Sequence, residues 1–372
     1  MVDVFIIGGG PAGSATALSM TNNMNDSGIR VTQVCGPKPM RDAIGETIPP
    51  AATDHMRKLG VLDLINNDSH LPCPGSHSVW GSDTPGFNDF FFTPIGKGYH
   101  LNRSVFNQQL ISEAQKRGVV MMEDSKLLKV ESEHSGYNLT IVHKGAIINK
   151  HADFVVDATG IQAKVARSLG VARNQYDSVI SACHIFDLTQ QVDKKAHTLV
   201  CAVDHGWWYG TQLPNNRVLL SLCTDKETLK NEKLTSPEVW FDALQKSGWF
   251  YENCSAQFST RLQQPESIDT RVAPSAILSC VVGDNWLAVG DAASSYDSMT
   301  SAGITKALEQ GLKAGSAVAD LIKSNNKQSL KDYQQSVFDA FNQYLRLHQE
   351  LYCSEQRFPE SSFWHRREFN NN

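Results

Sequence analysis

Several common functional signals are missing from this chain of 372 residues. Its eight cysteines include no Cys-x-x-Cys pair, which argues against a disulfide scaffold or a zinc site and favours reduced thiols in a cytoplasmic protein. No His-x-x-His pair with ligand spacing is present either, so no metal site is expected.

The distribution of charged and apolar residues excludes further classes of protein. The net charge of −5 is not gathered into a block of like charge, so nucleic-acid binding is not expected. No apolar run reaches the roughly 18 residues of a membrane-spanning helix. The N-terminal apolar run lacks the preceding basic segment of a signal peptide. We therefore expect a cytoplasmic protein with no membrane or nucleic-acid partner.

A glycine-rich loop near the N-terminus is the strongest signal that is present, in the stretch DVFIIGGGPAGSATALSM. Val4–Ile7 is typical of a buried parallel strand, and apolar residues at helical spacing follow the loop. Gly8, Gly10 and Gly13 have the G-x-G-x-x-G spacing, which provides a tight turn, close approach of backbone to a diphosphate and close packing of helix on strand. The diphosphate would lie at the helix N-terminus, where free N–H groups favour an anion.

The second predicted strand departs from this nucleotide-binding pattern. Ile29–Gly36 ends in Cys35 where an acid usually binds the adenosine ribose, and Lys38 and Arg41 follow. The pattern therefore predicts a diphosphate site, while the ribose contact has to come from elsewhere, for example from backbone.

Two aspartates follow an apolar strand near the C-terminal end. Trp286–Val289 leads into Gly290 and Asp291, and Asp297 precedes a helix that is expected to begin around 300–304. The simplest interpretation is that Asp291 is a turn residue and Asp297 an N-cap. The alternative is that this strand end belongs to the same nucleotide site as the glycine loop.

Four further segments appear in a fixed order between these two ends. They are AIGETIPP (43–50), YHLNRSVFNQQLISEAQKRGV (99–119), FVVDATG (154–160) and RVAPSA (271–276). Together with the glycine loop and GDAA they resemble the FAD-dependent monooxygenases of the para-hydroxybenzoate hydroxylase type. The similarity extends over nearly the full length and is closest to the flavin-halogenase-like branch.

This resemblance implies an α/β fold. We expect a Rossmann-type, glutathione-reductase-like FAD-binding domain formed by residues 1–70, 99–165 and 271–330. A mainly antiparallel β-sheet substrate domain would be inserted, from residues 71–98 and 166–270, where runs such as HTLVCAV and RVLLSLCTD are rich in strand-forming residues. A C-terminal helical segment would span 331–372, with the tail after Tyr344 continuing a helix.

The resemblance also implies roles for individual residues. Arg103 would reach the phosphate–ribose region of FAD and Asp291 the ribityl chain. The helix that begins at 300–304 would face the pyrimidine edge of the isoalloxazine, because a helix N-terminus stabilises the negative charge of reduced flavin. The full set of expected cofactor-binding residues is Gly8, Gly10, Pro11, Ala12, Gly13, Cys35, Glu46, Thr47, Arg103, Leu127, Asp291, Thr300, Ala302, Gly303 and Ile304.

Substrate and catalytic residues are predicted from the middle of the chain. Trp207, Trp208 and Tyr209 are consecutive and cannot all face one side of a strand, so part of this cluster is expected to line a substrate pocket. The alternative is that these aromatic side chains fill the interface between sheet and flavin. Glu46 and His184 are the catalytic candidates, each with a structural role as the alternative.

The chain departs from tryptophan halogenases at two positions. Thr300 stands where those enzymes have glutamate, and HSVWGS (77–82) lacks their catalytic lysine. Hypohalous acid chemistry with tryptophan is therefore not expected. The ending YLRLHQELYCSEQRFPESSFWHRREF instead resembles short flavoproteins required for cysteine tryptophylquinone biogenesis in lysine and glycine oxidases.

The resemblance thus implies an FAD-dependent monooxygenase that hydroxylates a tryptophan side chain of a precursor protein. Its electrons would come from a flavin reductase or from NAD(P)H, because the chain has one glycine fingerprint and no second nucleotide domain. Three alternatives remain: a hydroxylase or halogenase of a free aromatic metabolite, a non-catalytic flavoprotein chaperone, and a saturating reductase of isoprenoid chains.

Overall fold

The structure is a computed structural model that describes residues 1–21, 28–37, 47–90, 93, 96–188, 197–258 and 262–368. The first ten strands are β1 (Val2–Ile7), β2 (Ile29–Val34), β3 (Thr47–Ile48), β4 (Leu71–Cys73), β5 (Gly75–Val79), β6 (Gly86–Asp89), β7 (Gly98–His100), β8 (Val120–Met122), β9 (Ser125–Ser132) and β10 (Tyr137–His143). The next ten are β11 (Ala146–Ala152), β12 (Phe154–Asp157), β13 (Arg173–Asp187), β14 (Thr198–Val203), β15 (Gly206–Leu213), β16 (Arg217–Thr224), β17 (Asp269–Leu278), β18 (Val282–Gly283), β19 (Trp286–Ala288) and β20 (Ser294–Ser295).

The helices alternate with these strands in the first part of the chain and dominate its end. They are α1 (Pro11–Thr21), α2 (Pro50–Lys58), α3 (Arg103–Lys116), α4 (Lys164–Ser168), α5 (Lys226–Asn231), α6 (Pro237–Gln245), α7 (Trp249–Gln257), α8 (Gly303–Ser324), α9 (Lys327–Ser354) and α10 (Ser362–Glu368). Among the described helices, none is long and apolar enough to cross a bilayer.

The first strand lies inside a six-stranded sheet with the order β18-β19-β12-β1-β2-β8. It pairs in parallel with β2 on one side and with β12 on the other. Val4–Ile7 and Phe154–Asp157 are buried throughout, as continuous apolar strands of a parallel sheet should be. Because the chain moves in opposite directions from β1, a crevice opens at the carboxyl ends of β1 and β12, where such folds bind nucleotides.

A second, eight-stranded sheet has the order β20-β17-β13-β16-β15-β14-β5-β6. Its pairings are antiparallel except for β5 with β14. One face packs on the helices α6 and α7, where Trp240 and Phe250 are completely buried. The predicted α/β architecture with an inserted, mainly antiparallel sheet is therefore confirmed, while the exact domain boundaries remain a prediction.

Helix α8 lies directly against α1, and two glycines allow this contact. A Cβ at Gly311 would lie 2.5 Å from the Cβ of Ala15, and one at Gly315 would lie 2.5 Å from the Cβ of Ser19. The Ser19 hydroxyl also donates to the carbonyl oxygen of Leu312 at 2.8 Å. This packing holds α8 beside the glycine loop, although the two are almost 300 residues apart in sequence.

The C-terminal tail is helical, as expected, but it is divided between two helices. Helix α9 ends at Ser354 and α10 begins at Ser362. Pro359 lies between them, and proline disfavours a helical conformation for the residue before it. Glu355 turns inward and accepts from the backbone N–H of Gly81 at 2.8 Å, so the break attaches the tail to the substrate sheet.

Candidate functional site

The glycine loop joins the end of β1 to α1 and leaves open space at its second glycine. Gly8 has φ +138°, and a Cβ there would lie 2.1 Å from the carbonyl oxygen of Ala158. A Cβ at Gly13 would lie 2.2 Å from the carbonyl oxygen of Gly8. At Gly10, by contrast, an added Cβ would meet nothing within 4 Å. The loop is therefore tight on both sides and open in the middle, as close approach of a diphosphate requires.

Helix α1 begins at Pro11, and proline suits the first helical position because the missing N–H has no partner there. Ala12, the next residue, is buried and contacts the far strand end: a Cβ at Gly290 would lie 2.5 Å from its Cβ. The structure thus brings together the two ends of the chain that the sequence analysis assigned to one cofactor. The free N–H groups of this helix end and its dipole favour an anion.

The ends of β2 and β9 close the loop on its other side. The Sγ of Cys35 would lie 3.0 Å from a Cβ at Gly9, and the carbonyl oxygen of Cys35 accepts from Ser125 at 2.9 Å. Burial raises the pKa of the Cys35 thiol to about 11, so it stays protonated and contributes shape rather than reactivity. Leu127 is buried nearby in β9, and its carbonyl oxygen accepts from Lys164.

The carboxylate of Asp291 is held by a lysine that the sequence analysis missed. Lys306 of α8 donates from Nζ to Asp291 Oδ1 at 2.8 Å and also to the carbonyl oxygen of Ser294. Its ammonium lies 4.1 Å from the centre of the Tyr296 ring. Burial lowers the pKa of Lys306, and Asp291 opposes that shift. The Asp291 side chain keeps 46% of its surface exposed, so its other oxygen is accessible to a ligand.

The turn before α8 is capped by the second aspartate. Asp297 Oδ1 accepts from the N–H of Met299 at 3.0 Å and caps a 3-10 turn from Ser298 to Thr300. Among the described residues, the buried hydroxyls of Thr300 and Thr305 have no hydrogen-bond partner. Two such hydroxyls at the start of a helix suit a polar ligand, because a buried hydroxyl without a partner costs about 1–3 kcal/mol.

These features fit FAD. The open space at Gly10 would take the diphosphate, Asp291 would hold ribityl hydroxyls, and the start of α8 would face the flavin ring. Arg103 is the first residue of α3, directly after the N-cap Asn102. The individual assignments remain predictions from the sequence. Glu46 lies outside the described residues.

Thr47 lies in a buried cluster of polar side chains between the small sheet β3-β7-β4 and the eight-stranded sheet. Its Oγ1 is hydrogen-bonded to Tyr209 at 2.9 Å, to His100 at 3.0 Å and to Thr211 at 3.2 Å. His100 is fully buried and was not found by the sequence analysis, since a single histidine after an aromatic residue carries no pattern. The cluster attaches the substrate sheet to the segment that follows the second strand.

The aromatic triplet divides between the two faces of β15. Trp207 is 1% exposed and donates from Nε1 to the hydroxyl of Tyr352 at 3.1 Å. Trp208 faces the other way and packs on Trp240 and Phe250. Tyr209 shares the face of Trp207, as strand alternation requires, and reaches the Thr47 cluster. A pocket role for Trp207 and Tyr209 stays a prediction, while Trp208 is surrounded by the core of the helical layer.

His184 lies in β13 opposite Leu220, which belongs to the core beneath α6 and α7. Its ring packs edge-on against Phe186, and Nδ1 lies 3.0 Å from the carbonyl oxygen of Ser267. Burial lowers the pKa of His184. The structure therefore does not bring it to the face that carries Tyr209, and its catalytic role rests on the sequence alone.

A cluster of three ionisable residues also escaped the sequence analysis. One carboxylate oxygen each from Asp177 and Asp297 and one ring nitrogen of His348 lie within 4.8 Å of one another. The three come from β13, the turn before α8, and α9, so no ligand spacing along the chain could have shown them. A further site-lining arginine, Arg173, donates to the carbonyl oxygen of Asp291 at 3.2 Å.

A cavity of about 500 Å³ adjoins the start of α8. It opens between α8 and α9. Its lining includes Thr300 and Ala302 from the turn, and Lys306, Arg346 and Glu350 from the two helices. The cavity is therefore rich in charged side chains at the helix end that would face the flavin.

Similar proteins support this picture. A protein named as FAD-dependent oxidoreductase LodB, from Marinomonas mediterranea, is 26% identical over 367 residues, which are 98% of this chain and 96% of that protein. The myxobacterial chondrochloren halogenase CndH, an FAD-dependent halogenase, superposes with a TM-score of 0.86 at 21% identity, covering 98% of this chain and 85% of that chain. The peptidyl tryptophan dihydroxylase QhpG, described as essential for tryptophylquinone cofactor biogenesis, superposes with a TM-score of 0.77 at 21% identity, covering 98% and 78%.

The family model described as FAD binding domain matches residues 1–346. This match covers the glycine loop, both sheets, Asp291 and α8. The chain therefore belongs to the FAD binding domain family and is an FAD-dependent oxidoreductase.

Proposed function

We propose that this protein is a monooxygenase that hydroxylates a tryptophan side chain of a precursor protein during tryptophylquinone maturation. Bound FAD supplies the redox chemistry: reduced flavin and O₂ deliver one oxygen atom to an electron-rich ring, and the other leaves as water. The two electrons come from a flavin reductase or from NAD(P)H. The chain's own residues bind and orient the cofactor and keep water away.

Oxygen transfer is supported by two residues that are absent: the turn before α8 has no glutamate at position 300, and β5 has no lysine. Thr300 takes the position of the halogenase glutamate, and Gly75–Val79 with the following Trp80 contains no lysine. An enzyme that uses hypohalous acid needs a group to hold that electrophile. Because neither residue is present, direct transfer of oxygen is favoured over transfer of a halogen.

A buried aromatic cluster lies beside the turn, between the substrate sheet and the helices α9 and α10. Trp207, Tyr352 and Trp364 are each at most 1% exposed and form one cluster, against which Met299 of the turn packs. This cluster keeps water from one side of the turn, and a dry surface beside the flavin protects a reactive oxygen donor from wasteful hydrolysis. The Thr47 cluster holds the sheet in this position through Tyr209.

A protein substrate is favoured by the relatives. The similarity to LodB extends over almost the full length of both chains. QhpG, whose described substrate is a peptidyl tryptophan, shares the fold. The C-terminal tail of this chain also resembles the flavoproteins of cysteine tryptophylquinone biogenesis.

One observation favours a second candidate, a hydroxylase or halogenase of a free aromatic metabolite. The cavity of about 500 Å³ between α8 and α9 has the size of a small-molecule pocket. Its charged lining, with Lys306, Glu309 and Arg346, is unsuited to a long apolar chain, which argues against an isoprenoid reductase.

Coexpression with a quinone-enzyme precursor tests the proposal. We expect mass spectrometry to find hydroxylated tryptophan in the precursor when the wild-type protein is present and not when it is absent. A Gly10→Ala variant, which we expect to keep the fold and to bind FAD about 100-fold more weakly, should also fail. Normal maturation with that variant would show that the protein acts as a chaperone, and maturation without the protein would exclude any role in this step.

A further inference from the structure

His348 of α9 lies between two buried carboxylates. Its Nε2 is 3.4 Å from Asp297 Oδ2 and 3.6 Å from Asp177 Oδ2. The three side chains are 12%, 0% and 16% exposed, in the order His348, Asp297, Asp177. At these distances and this degree of burial, the ion pairs are only weakly screened by solvent.

Each carboxylate has a second, independent donor. Arg367 of α10 donates from Nη2 to Asp177 Oδ1 at 3.2 Å, and Tyr352 donates its hydroxyl proton to Asp297 Oδ2 at 2.6 Å. The Arg367 guanidinium also lies 5.2 Å from the centre of the Tyr352 ring. The cluster thus joins four parts of the chain: β13, the turn and α10 contribute one residue each, and α9 contributes His348 and Tyr352.

The charges in the cluster balance when His348 is protonated. Burial alone would lower its pKa, but Asp177 and Asp297 raise the pKa of His348 to about 9. Two carboxylates then face one imidazolium and one guanidinium, and the next carboxylate outward, Asp225, pairs with Arg366 and Arg367. A buried pair of carboxylates without these cations would cost several kcal/mol.

The remaining titratable groups that face the cluster are neutral at physiological pH. Tyr344 accepts from the N–H of Asp297 at 2.8 Å, and burial holds its pKa far above its usual value. Cys223 lies on the neighbouring strand β16, and burial raises its pKa to about 12. Burial likewise raises the pKa of Tyr352. His348 is therefore the group that changes charge first as the pH rises from neutrality.

Asp297 connects this cluster to the cofactor site. One of its oxygens faces His348 and Tyr352, and the other caps Met299 in the turn that leads into α8. After the turn, Ser301 has φ +48°, a conformation that costs a non-glycine residue about a kcal/mol and needs external support. The direction in which the backbone N–H groups of residues 302–304 point depends on the geometry of this turn.

We propose that His348 is a positioning residue for the flavin site: through Asp297 it fixes the turn from which α8 begins, and through Asp177 it ties that turn to Arg367 of the C-terminal helix. The inference rests on the proposed placement of the flavin ring at the start of α8. Loss of the proton from His348 leaves the two carboxylates facing a neutral ring, so they repel each other and the turn loosens.

Two carboxylates and an imidazole also have the chemistry of a metal-ligand set, with a divalent cation in place of the proton. The hydrogen bonds that the two carboxylates already accept favour a protonated His348 over a bound metal. Arg367 and Tyr352 already occupy one side of each carboxylate, and the imidazolium completes the charge balance without a metal.

FAD affinity measured across pH tests the proposal. His348→Gln keeps a polar side chain of similar reach but carries no charge, and His134→Gln is the matched control because His134 is exposed. At pH 7 we expect about fivefold to tenfold weaker FAD binding by flavin fluorescence for His348→Gln, the effect of one charge-assisted contact, and no change for the control. The wild-type affinity should fall toward that of His348→Gln as the pH rises through about 9. Equal affinities, or parallel pH profiles, would overturn the proposal.

Tyr352→Phe provides a second variant in case His348→Gln does not fold. It removes the proton donated to Asp297, so the carboxylate attracts the His348 proton more strongly and the midpoint of the affinity loss should move to higher pH. An unmoved midpoint would contradict a role for His348. A loss of affinity in EDTA that zinc restores would also overturn the proposal, because a metal would then occupy the cluster. The titration needs no substrate, so its outcome is independent of the reaction proposed above.

Discussion

The glycine loop and the His348 cluster both adjoin the proposed cofactor site, but they are built in opposite ways. The loop takes its shape from backbone within Gly8–Gly13, and its essential feature is open space at Gly10. The cluster takes its shape from charged side chains, and Asp177 and Arg367 are 190 residues apart in sequence. The first kind of site can be recognised from spacing along the chain, whereas the second exists only after folding.

FAD affinity can therefore be lost in two ways, through the loop or through the cluster. A side chain added at Gly10 should weaken FAD binding by filling the ligand space and leave the protein stable. A change in the cluster should weaken FAD indirectly, through the turn, and should also alter stability and its pH dependence. A loop variant that lost stability together with FAD affinity, or a cluster variant that lost FAD affinity without any change in stability, would contradict this distinction.

The largest effect is expected at Gly10. Gly10→Ala adds a Cβ with no protein atom within 4 Å, so the free energy of unfolding of the FAD-free protein should change by less than about 0.5 kcal/mol. The same Cβ occupies the space of the diphosphate, and FAD binding should weaken by about 100-fold. Urea unfolding and flavin fluorescence measure the two quantities.

Gly8→Ala is the matched control from the same loop. Its Cβ would lie 2.1 Å from the Ala158 carbonyl oxygen and its φ is +138°, so it should lower the free energy of unfolding by about 2 kcal/mol or more. If Gly10→Ala destabilised the protein as much as Gly8→Ala, the open space at Gly10 would not be a ligand site.

The next effect is expected at the ion pair of Asp291 and Lys306. If Asp291 binds the ribityl chain as proposed, Asp291→Ala should weaken FAD binding about tenfold. It should also destabilise the protein, because Lys306 is left buried without its carboxylate. The double variant Asp291→Ala/Lys306→Met should recover stability, since the unpaired ammonium is gone, but not FAD affinity.

Asp320→Ala serves as the control for this pair, because Asp320 is an exposed acid further along α8. It should change neither quantity. Unchanged FAD affinity in Asp291→Ala would remove Asp291 from the site, and recovered affinity in the double variant would mean that the loss was only structural.

The last effect is the pH dependence of stability at His348, which is spread over several pH units. Its pKa is about 9 in the folded protein and near 6.5 when unfolded, so the folded state holds the proton more tightly. The stabilisation is fully present below about pH 6.5 and is lost as the pH rises through about 9. We expect the wild type to lose about 1–3 kcal/mol relative to His348→Gln between pH 6.5 and pH 10, from urea unfolding at each pH. Parallel curves for the two proteins would show that His348 carries no excess proton.

Much of the fold could be predicted because its signals are local. The apolar run Val4–Ile7, the amphipathic helix after Arg103 and the strand Trp286–Ala288 were all found near their observed positions. The helical character of the tail was expected, but the break between Ser354 and Ser362 was not, and Glu355 in this break binds Gly81, 274 residues away. Local pattern cannot show where a chain turns to make a distant contact.

The candidate site follows the same division. The glycine loop and Asp291 were recognisable by motif, and the structure brings them together through Ala12 and Gly290. Lys306 was missed because a lysine in a helix is normally solvated, and only the packing of α8 buries it beside Asp291. The opposite orientations of Trp207 and Trp208 were expected from strand alternation, but which of them meets the helical layer was not.

Isotope labelling tests the central claim, oxygen transfer to a protein tryptophan, most directly. The purified FAD-loaded protein is incubated with a quinone-enzyme precursor, a flavin reductase and isotopically heavy dioxygen, and the precursor is digested for mass spectrometry. The account predicts that the heavy isotope appears on a tryptophan ring, and that Gly10→Ala protein gives none. Heavy oxygen found only in water, or in an added free aromatic compound while the precursor stays unlabelled, would contradict it.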